Sequence, residues 1–350
     1  MKKLVIAALA IGAMASCTKS TVQYEQPGEI SLQPVTQKAT KAAIDGNDYP
    51  EEGHFKVWAL WTANAAESSA SAIPETLNDN YVEYINGGEF VKKKDPNSWG
   101  GVTPYYWPTT GSLFFAGYSP ADASGTFDYS WVTKTFTATN YEQSNNIAET
   151  KDLMWFDVTN QSYNNNNNSI TEGETTESVN GVPVKFKHAL SWLEFRFNLS
   201  SESTPKCWKI TNVTLKDIKT KANFTAALNA TPKWTSLGEA KQVEIYKNNE
   251  GKLLEHKQEG DCLADAAKKG VVVIPQGGTP KLQIQYGLTN STIEGTFIPQ
   301  TVELDLFSGA VSEWEIGKHY LYTITFGGNE ILIYPKVTDW TDVNQNIEVQ

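Results

Sequence analysis

The chain has 350 residues, room for two domains of ordinary size, with 40% hydrophobic residues and a mean hydropathy of −0.41. Its 29 Lys and Arg face 40 Asp and Glu, a net charge of −11, which argues against nucleic acid or an anionic lipid surface as partner. Arg196 is the single arginine, so bidentate recognition of phosphate or carboxylate has little material to work with.

Lys2 and Lys3 precede an apolar and small stretch from Leu4 to Ser16, the layout of a signal peptide over residues 1–16. The stretch is too short to stay in a bilayer as a spanning helix. Ala15 and Ser16 directly before Cys17, with polar Thr18, Lys19 and Ser20 behind it, resemble a lipobox, although Met14 stands where most lipoboxes have Leu. The expectation is therefore lipidation at Cys17, with lipid chains as the membrane anchor and no later segment able to cross. A plain secretory signal that ends near a cysteine is the alternative. Cys207 and Cys262 are the remaining cysteines, and the sequence leaves open whether they pair or stay as free thiols.

Residues 17–41 read as a lipidated tether, polar and rich in Ser, Thr and Gln, with one alternating piece at Glu29-Ile30-Ser31-Leu32 that predicts a strand. From Phe55 onward, short β-branched and aromatic runs broken by Gly, Pro, Asn and Asp predict an all-β protein. A hairpin is expected at Asn86-Gly87-Gly88, because Asn-Gly supplies the positive φ of a tight reversal. Strands are predicted at Phe55–Trp61, Leu113–Tyr118, Trp131–Ala138 and Leu153–Val158. The Asn164–Asn168 run and the acidic segment to Ser178 form a low-complexity break, so the domains are taken as 42–180 and 181–350. Past it, Val184–His188 and Leu193–Leu199 alternate strictly. Further strands are expected at Trp208–Ile218, Phe224–Leu228, Leu282–Tyr286, Val302–Leu306, Tyr320–Phe326 and Ile331–Tyr334. Val271–Ile274 is apolar on both faces and predicts a central strand stopped by Pro275. The one helix foreseen is Cys262–Ala267.

Signatures of catalysis are missing: there is no G-x-S-x-G, P-loop, G-x-G-x-x-G or H-E-x-x-H. His54, His188, His256 and His319 lack the paired spacing of a zinc site, and Asp45-Gly46-Asn47-Asp48 does not make a calcium loop. No catalytic residue, metal or cofactor is assigned. Carboxylates such as Asp45, Asp48, Glu172 and Glu174 read as loop solvation rather than as a glycosidase pair. Of the eleven tryptophans, Trp58, Trp61, Trp155, Trp192 and Trp314 fall in or beside strands and predict core positions. Trp99 and Trp107, beside Gly and Pro, are left open as loop residues able to stack on a sugar.

The order of local motifs resembles the fimbrillin (Mfa-like) family of Bacteroidales, the lipoprotein subunits of type V pili. The likeness is carried by Tyr106-Trp107-Pro108, Leu113 to Pro120, Lys151 to Trp155, Val184 to Ser191, Val273 to Gln276, Trp314 to Ile324, and Ile331 through Trp340. The resemblance implies two tandem transthyretin-like β-sandwich domains and a polymer-forming, adhesion-supporting role without catalysis. Its implied partners are other pilin subunits, a trypsin-like processing protease, and the outer membrane through the N-terminal lipid, with a final place at the cell surface or in the fimbrium. Residues Ile30 and Leu32 would mark the removable first strand, and cleavage would follow Lys38 or Lys41, which are Lys where the best-known members carry Arg. The donor strand would be 343–350, through Val343, Ile347 and Val349. The rival reading is a surface glycan-binding lipoprotein built on exposed aromatics around Trp99 and Trp107.

Overall fold

The computed structural model describes residues 28–35, 49–64, 70–93, 98–144, 149–161, 167–172, 175–200, 206–254, 261–262, 270–290, 298–308, 311–327 and 331–340. In chain order the first strands are β1 (Ser31–Val35), β2 (His54–Thr62), β3 (Tyr81–Lys92), β4 (Trp99–Gly101), β5 (Ser112–Ser119), β6 (Thr126–Ser130), β7 (Thr135–Glu142) and β8 (Met154–Gln161). Next come β9 (Asn167–Glu172), β10 (Thr175–Asn180), β11 (Val182–His188), β12 (Ser191–Leu199), β13 (Lys206–Lys219), β14 (Lys221–Ala227) and β15 (Lys233–Thr235). The last are β16 (Ala240–Leu253), β17 (Asp261–Cys262), β18 (Val271–Val273), β19 (Lys281–Asn290), β20 (Ile298–Asp305), β21 (Lys318–Phe326) and β22 (Ile331–Asp339). Among the described residues the only helical element is the single turn Ala70–Ala72, so the all-β expectation holds.

Seven strands close into a barrel in the order β1-β11-β8-β5-β2-β3-β4. Strands β6, β7, β14 and β15 form a four-stranded sheet, and two further sheets, β17-β12-β21-β22 with β18 on β12, and β16-β13-β19-β20, form the C-terminal part. Strand β11 thus sits in the barrel, and β14 and β15 share a sheet with β6 and β7, so pairing runs across position 180 in both directions.

Successive side chains on a strand face opposite ways, and this alternation builds three cores. Leu113 and Phe115 of β5 point into the barrel with Phe55, Phe156 and Phe186. Their neighbours Phe114, Ala116 and Tyr118 point out and join Phe136, Phe224 and Trp192 in a middle core. All eight residues of β5 are buried for this reason. Strands β12 and β18 repeat the device: Trp192, Val272 and Ile274 serve the middle core, whereas Leu193, Phe195 and Val273 serve the C-terminal core.

Val271–Ile274 is covered on both faces, as expected, but among the described residues its strand β18 pairs with β12 alone rather than lying at the centre of a ladder. The buried amide of Gln143 takes its free edge, donating to Val272 O at 2.8 Å and accepting from Ile274 N at 3.1 Å. Gln276 does the same for Lys219, accepting from its N–H at 2.8 Å and donating to its carbonyl at 3.0 Å.

Three local expectations are corrected. Asn86–Gly88 is not a hairpin: β3 runs through it, and Asn86 and Gly87 together oppose Trp58 between the pairs Val57↔Gly88 and Ala59↔Ile85. Gly87, at φ +64°, is the glycine of a bulge, which needs the same left-handed backbone as a tight turn and so leaves the same sequence signal. Trp131 belongs to the turn between β6 and β7, yet is 2% exposed. Cys262 is in β17 opposite Arg196, not in a helix, and 263–267 lie outside the described residues. The low-complexity break carries an antiparallel strand pair, β9 with β10.

Candidate functional site

Strand β1 closes the barrel between β4 and β11. It runs parallel to β11, with Leu32↔Val182 and Pro34↔Val184, and antiparallel to β4, with Ser31↔Gly100 and Leu32↔Trp99. Ahead of it, Glu29 bridges Tyr106, the Ile30 N–H donates to Tyr105 O at 2.7 Å, and the Trp107 N–H donates to Gly28 O at 3.1 Å. The docked segment therefore runs from Gly28 to Val35.

Two side chains hold it. Ile30 and Leu32 are both 0% exposed and pack in the barrel core with Phe90, Trp99, Trp107 and Val182. Burial of each contributes about 1.5–3 kcal/mol. The ladder with β11 is poorer in donors than an ordinary one, because Pro34 on one strand and Pro183 opposite Gln33 on the other have no N–H. Gly181 lets the backbones approach: at φ +119° it lies so close to β1 that a Cβ there would stand 2.7 Å from Ser31 O. Nothing in the run Val179-Asn180-Gly181-Val182 announces this contact.

The floor of the slot is aromatic. Tyr49 stacks on Phe186 of β11 at 5.5 Å and 19°, and meets Trp99 of β4 edge-on at 5.8 Å. Its hydroxyl donates to His54 O at 3.1 Å and takes the Ser119 hydroxyl proton at 2.6 Å. Burial pushes the Tyr49 phenol well above the usual range. Sequence reading missed Tyr49, since an isolated Tyr between Asp48 and Pro50 carries no periodicity.

At the rim, His54 Nδ1 meets Glu89 at 2.9 Å, and Lys56 meets the same carboxylate at 3.1 Å. Hydrogen bonds from His54 and then Lys56 hold Glu89 below the ordinary carboxylate range. Such half-exposed pairs contribute little to stability.

The proposed sugar platform is corrected by burial. Trp99 and Trp107 are 4% and 2% exposed and line the barrel core, because the strand that pairs with their neighbours covers them. Tyr105 stacks on Phe90, and of that cluster Tyr106 alone is exposed, at 48%. Trp58, Trp155, Trp192 and Trp314 are buried core residues, and Trp61 is half-buried with its Nε1 on Thr110 O at 2.7 Å.

Cys17, Lys38, Lys41, Val343, Ile347 and Val349 lie outside the described residues, as do His256, Asp45, Asp48 and Glu174. Cys207 and Cys262 are described in their backbones only, within β13 and β17. Among the described residues no group of three or more His, Cys, Asp or Glu is placed to hold a metal. No helix among them is long and apolar enough to cross a membrane.

Barrel and slot together define an all-β protein whose first barrel is completed by a short N-terminal strand docked through two apolar side chains. A family model described as fimbrillin-like matches residues 39–340, and the chain belongs to that family. The match begins after β1. A fimbrial protein from Bacteroides vulgatus has the same fold at TM-score 0.58, with 17% identity over 89% of this chain and 99% of that one. A candidate cell adhesion protein from Bacteroides uniformis follows at TM-score 0.51, with 15% identity over 89% and 99%. No curated protein matches the sequence.

Proposed function

We propose that this protein is a structural subunit of a surface fimbrium, assembled by exchange of β1 for a strand of a neighbouring subunit. Membership of the fimbrillin-like family supports the fimbrial role. The observation that carries the exchange reading is the docking of β1: it seals the barrel with two fully buried side chains over a ladder short of donors. Removing such a strand leaves an apolar slot flanked by two unpaired edges, which another chain's alternating residues can satisfy. In this reading Cys17 carries the lipid that holds the precursor at the outer membrane. A trypsin-like protease cuts after Lys38 or Lys41, and the donor is 343–350 of the next subunit, through Val343, Ile347 and Val349. A division into two tandem transthyretin-like sandwiches is part of the same proposal, with β11, β14 and β15, which lie past residue 180, belonging to the first of them.

Brief trypsin treatment of the mature chain tests it. Mass spectrometry is expected to show loss of the segment up to Lys38 or Lys41, followed by polymers whose yield rises with concentration. Clean trimming with persistent monomers, together with saccharide binding by the monomer, would overturn the reading in favour of a glycan-binding lipoprotein.

A further inference from the structure

We infer that Tyr49 is a strut that keeps the β1 slot open when β1 is out of it. The inference deepens the exchange reading above and rests on it. Strand β1 has two neighbours, and the Tyr49 ring touches a side chain of each: Trp99 on β4 at 5.8 Å and Phe186 on β11 at 5.5 Å. A third contact, edge-on to Phe55 of β2 at 5.7 Å, ties it to the opposite wall. Its hydroxyl is fixed at the ends of β5 and β2, through Ser119 Oγ at 2.6 Å and His54 O at 3.1 Å. Gly53 leaves it room, since a Cβ there would fall 2.2 Å from Tyr49 Cε1.

Position along the chain matters as much as contact. Lys38 and Lys41 precede Tyr49, so a cut after either separates β1 from the barrel and leaves the tyrosine with the barrel. An apolar slot emptied of Ile30 and Leu32 would otherwise collapse, because buried surroundings relax into a cavity when they can. A ring wedged between the two banks, with its polar end hydrogen-bonded, opposes that collapse and presents both edges at strand spacing. Tyr49 is a positioning residue in this scheme, acting on β1 through the side chains of Trp99 and Phe186.

The test loosens β1 without cutting the chain. In the full-length double variant Ile30→Ser/Leu32→Ser, amide hydrogen exchange is followed in β4 and β11, with β12 and β21 as an internal reference. Protection in β4 and β11 is expected to stay near that of the parent chain while Tyr49 is present. Adding Tyr49→Leu should lower it by about tenfold or more, the order expected for truncating a buried aromatic. Tyr49→Phe keeps the ring and should retain most of it. Alone, with β1 docked, Tyr49→Leu should change β4 and β11 far less, and that dependence on β1 separates a strut from ordinary core packing. Equal losses with β1 docked and loosened would overturn the inference, as would exposure of both banks in the double variant despite Tyr49. Should Tyr49→Leu unfold the reference strands, Tyr49→Met takes its place with the same criteria. In parallel, trypsin-cut parent chain is offered a peptide of residues 28–35: failure to bind it, with the banks protected, would sink the exchange reading and leave the strut standing.

Discussion

The indole of Trp340 lies on the imidazole of His188, with ring centroids 3.8 Å apart and planes 6° from parallel. His188 closes β11, the strand beside β1, and its Nδ1 meets Asp152 at 2.6 Å with both side chains almost fully buried. Trp340 follows β22 directly, and its backbone N–H donates to Gly317 O at 2.9 Å. A second pair, Trp192 on His319 at 3.7 Å, stands beside the first, with the two indoles 5.9 Å apart. The start of the C-terminal segment is thereby pinned to the strand that borders the slot. Trp340→Ala is expected to cost about 3–5 kcal/mol, the range for removing a buried aromatic, as read by urea unfolding. Trp340→Phe, which keeps a stacking ring, should lose much less.

Gly181 sets how closely β1 can lie against β11. Its φ of +119° disfavours any side chain, and a Cβ would meet the β1 backbone at 2.7 Å. Gly181→Ala is expected to cost at least about 1–3 kcal/mol of strain and to shift β1 outward. Limited proteolysis checks this: residues 28–35 should be cut faster in the variant, while β12 and β21 keep their protection.

Much of the fold was legible because alternation and aromatic runs report burial directly. Leu113–Tyr118 falls within β5, and Val271–Ile274 is buried on both faces as its pattern suggests, although it lies at the side of β12 rather than at the centre of a sheet. Ile30, just ahead of β1, and Leu32, within it, are both fully buried, as their alternation suggests. What stayed illegible depends on contacts between residues far apart in sequence. Trp107 is the loop residue that its neighbour Pro108 suggests, but its burial comes from Gly28, Ile30 and Phe115, which no local window contains. Asn86-Gly87 marks a left-handed position, yet whether that serves a turn or a bulge is settled by Trp58 on the partner strand.

Glu194 makes stability depend on pH. Burial pushes its carboxyl up, but hydrogen bonds from His319 and Arg196 outweigh this and hold it below the ordinary value. A depressed folded pKa means that the contribution is present above the unfolded pKa, near 4.3, and lost as pH falls through the lower folded value. Unfolding midpoints measured in steps from about pH 6 to pH 3 should therefore drop at the acid end. Glu194→Gln should make that drop shallower, and an unchanged slope would remove Glu194 from the account.

Gln143 provides the sharpest test of how the two parts of the molecule are joined. It follows β7 and is 4% exposed, and both ends of its amide are spent on the open edge of β18, at Val272 O and Ile274 N. An isosteric apolar side chain would preserve packing in the middle core but leave a buried carbonyl and a buried N–H unpaired. Each orphaned group costs about 1–3 kcal/mol, so Gln143→Leu should lower unfolding stability by about 2–6 kcal/mol. Gln143→Glu separates packing from polarity, because the carboxylate still accepts from Ile274 N but no longer donates to Val272 O. It should be destabilised near neutral pH and partly recover in mild acid, where a protonated carboxyl donates again. Hydrogen exchange at Ile274 supplies the local readout: its amide should open in Gln143→Leu and stay protected in Gln143→Glu.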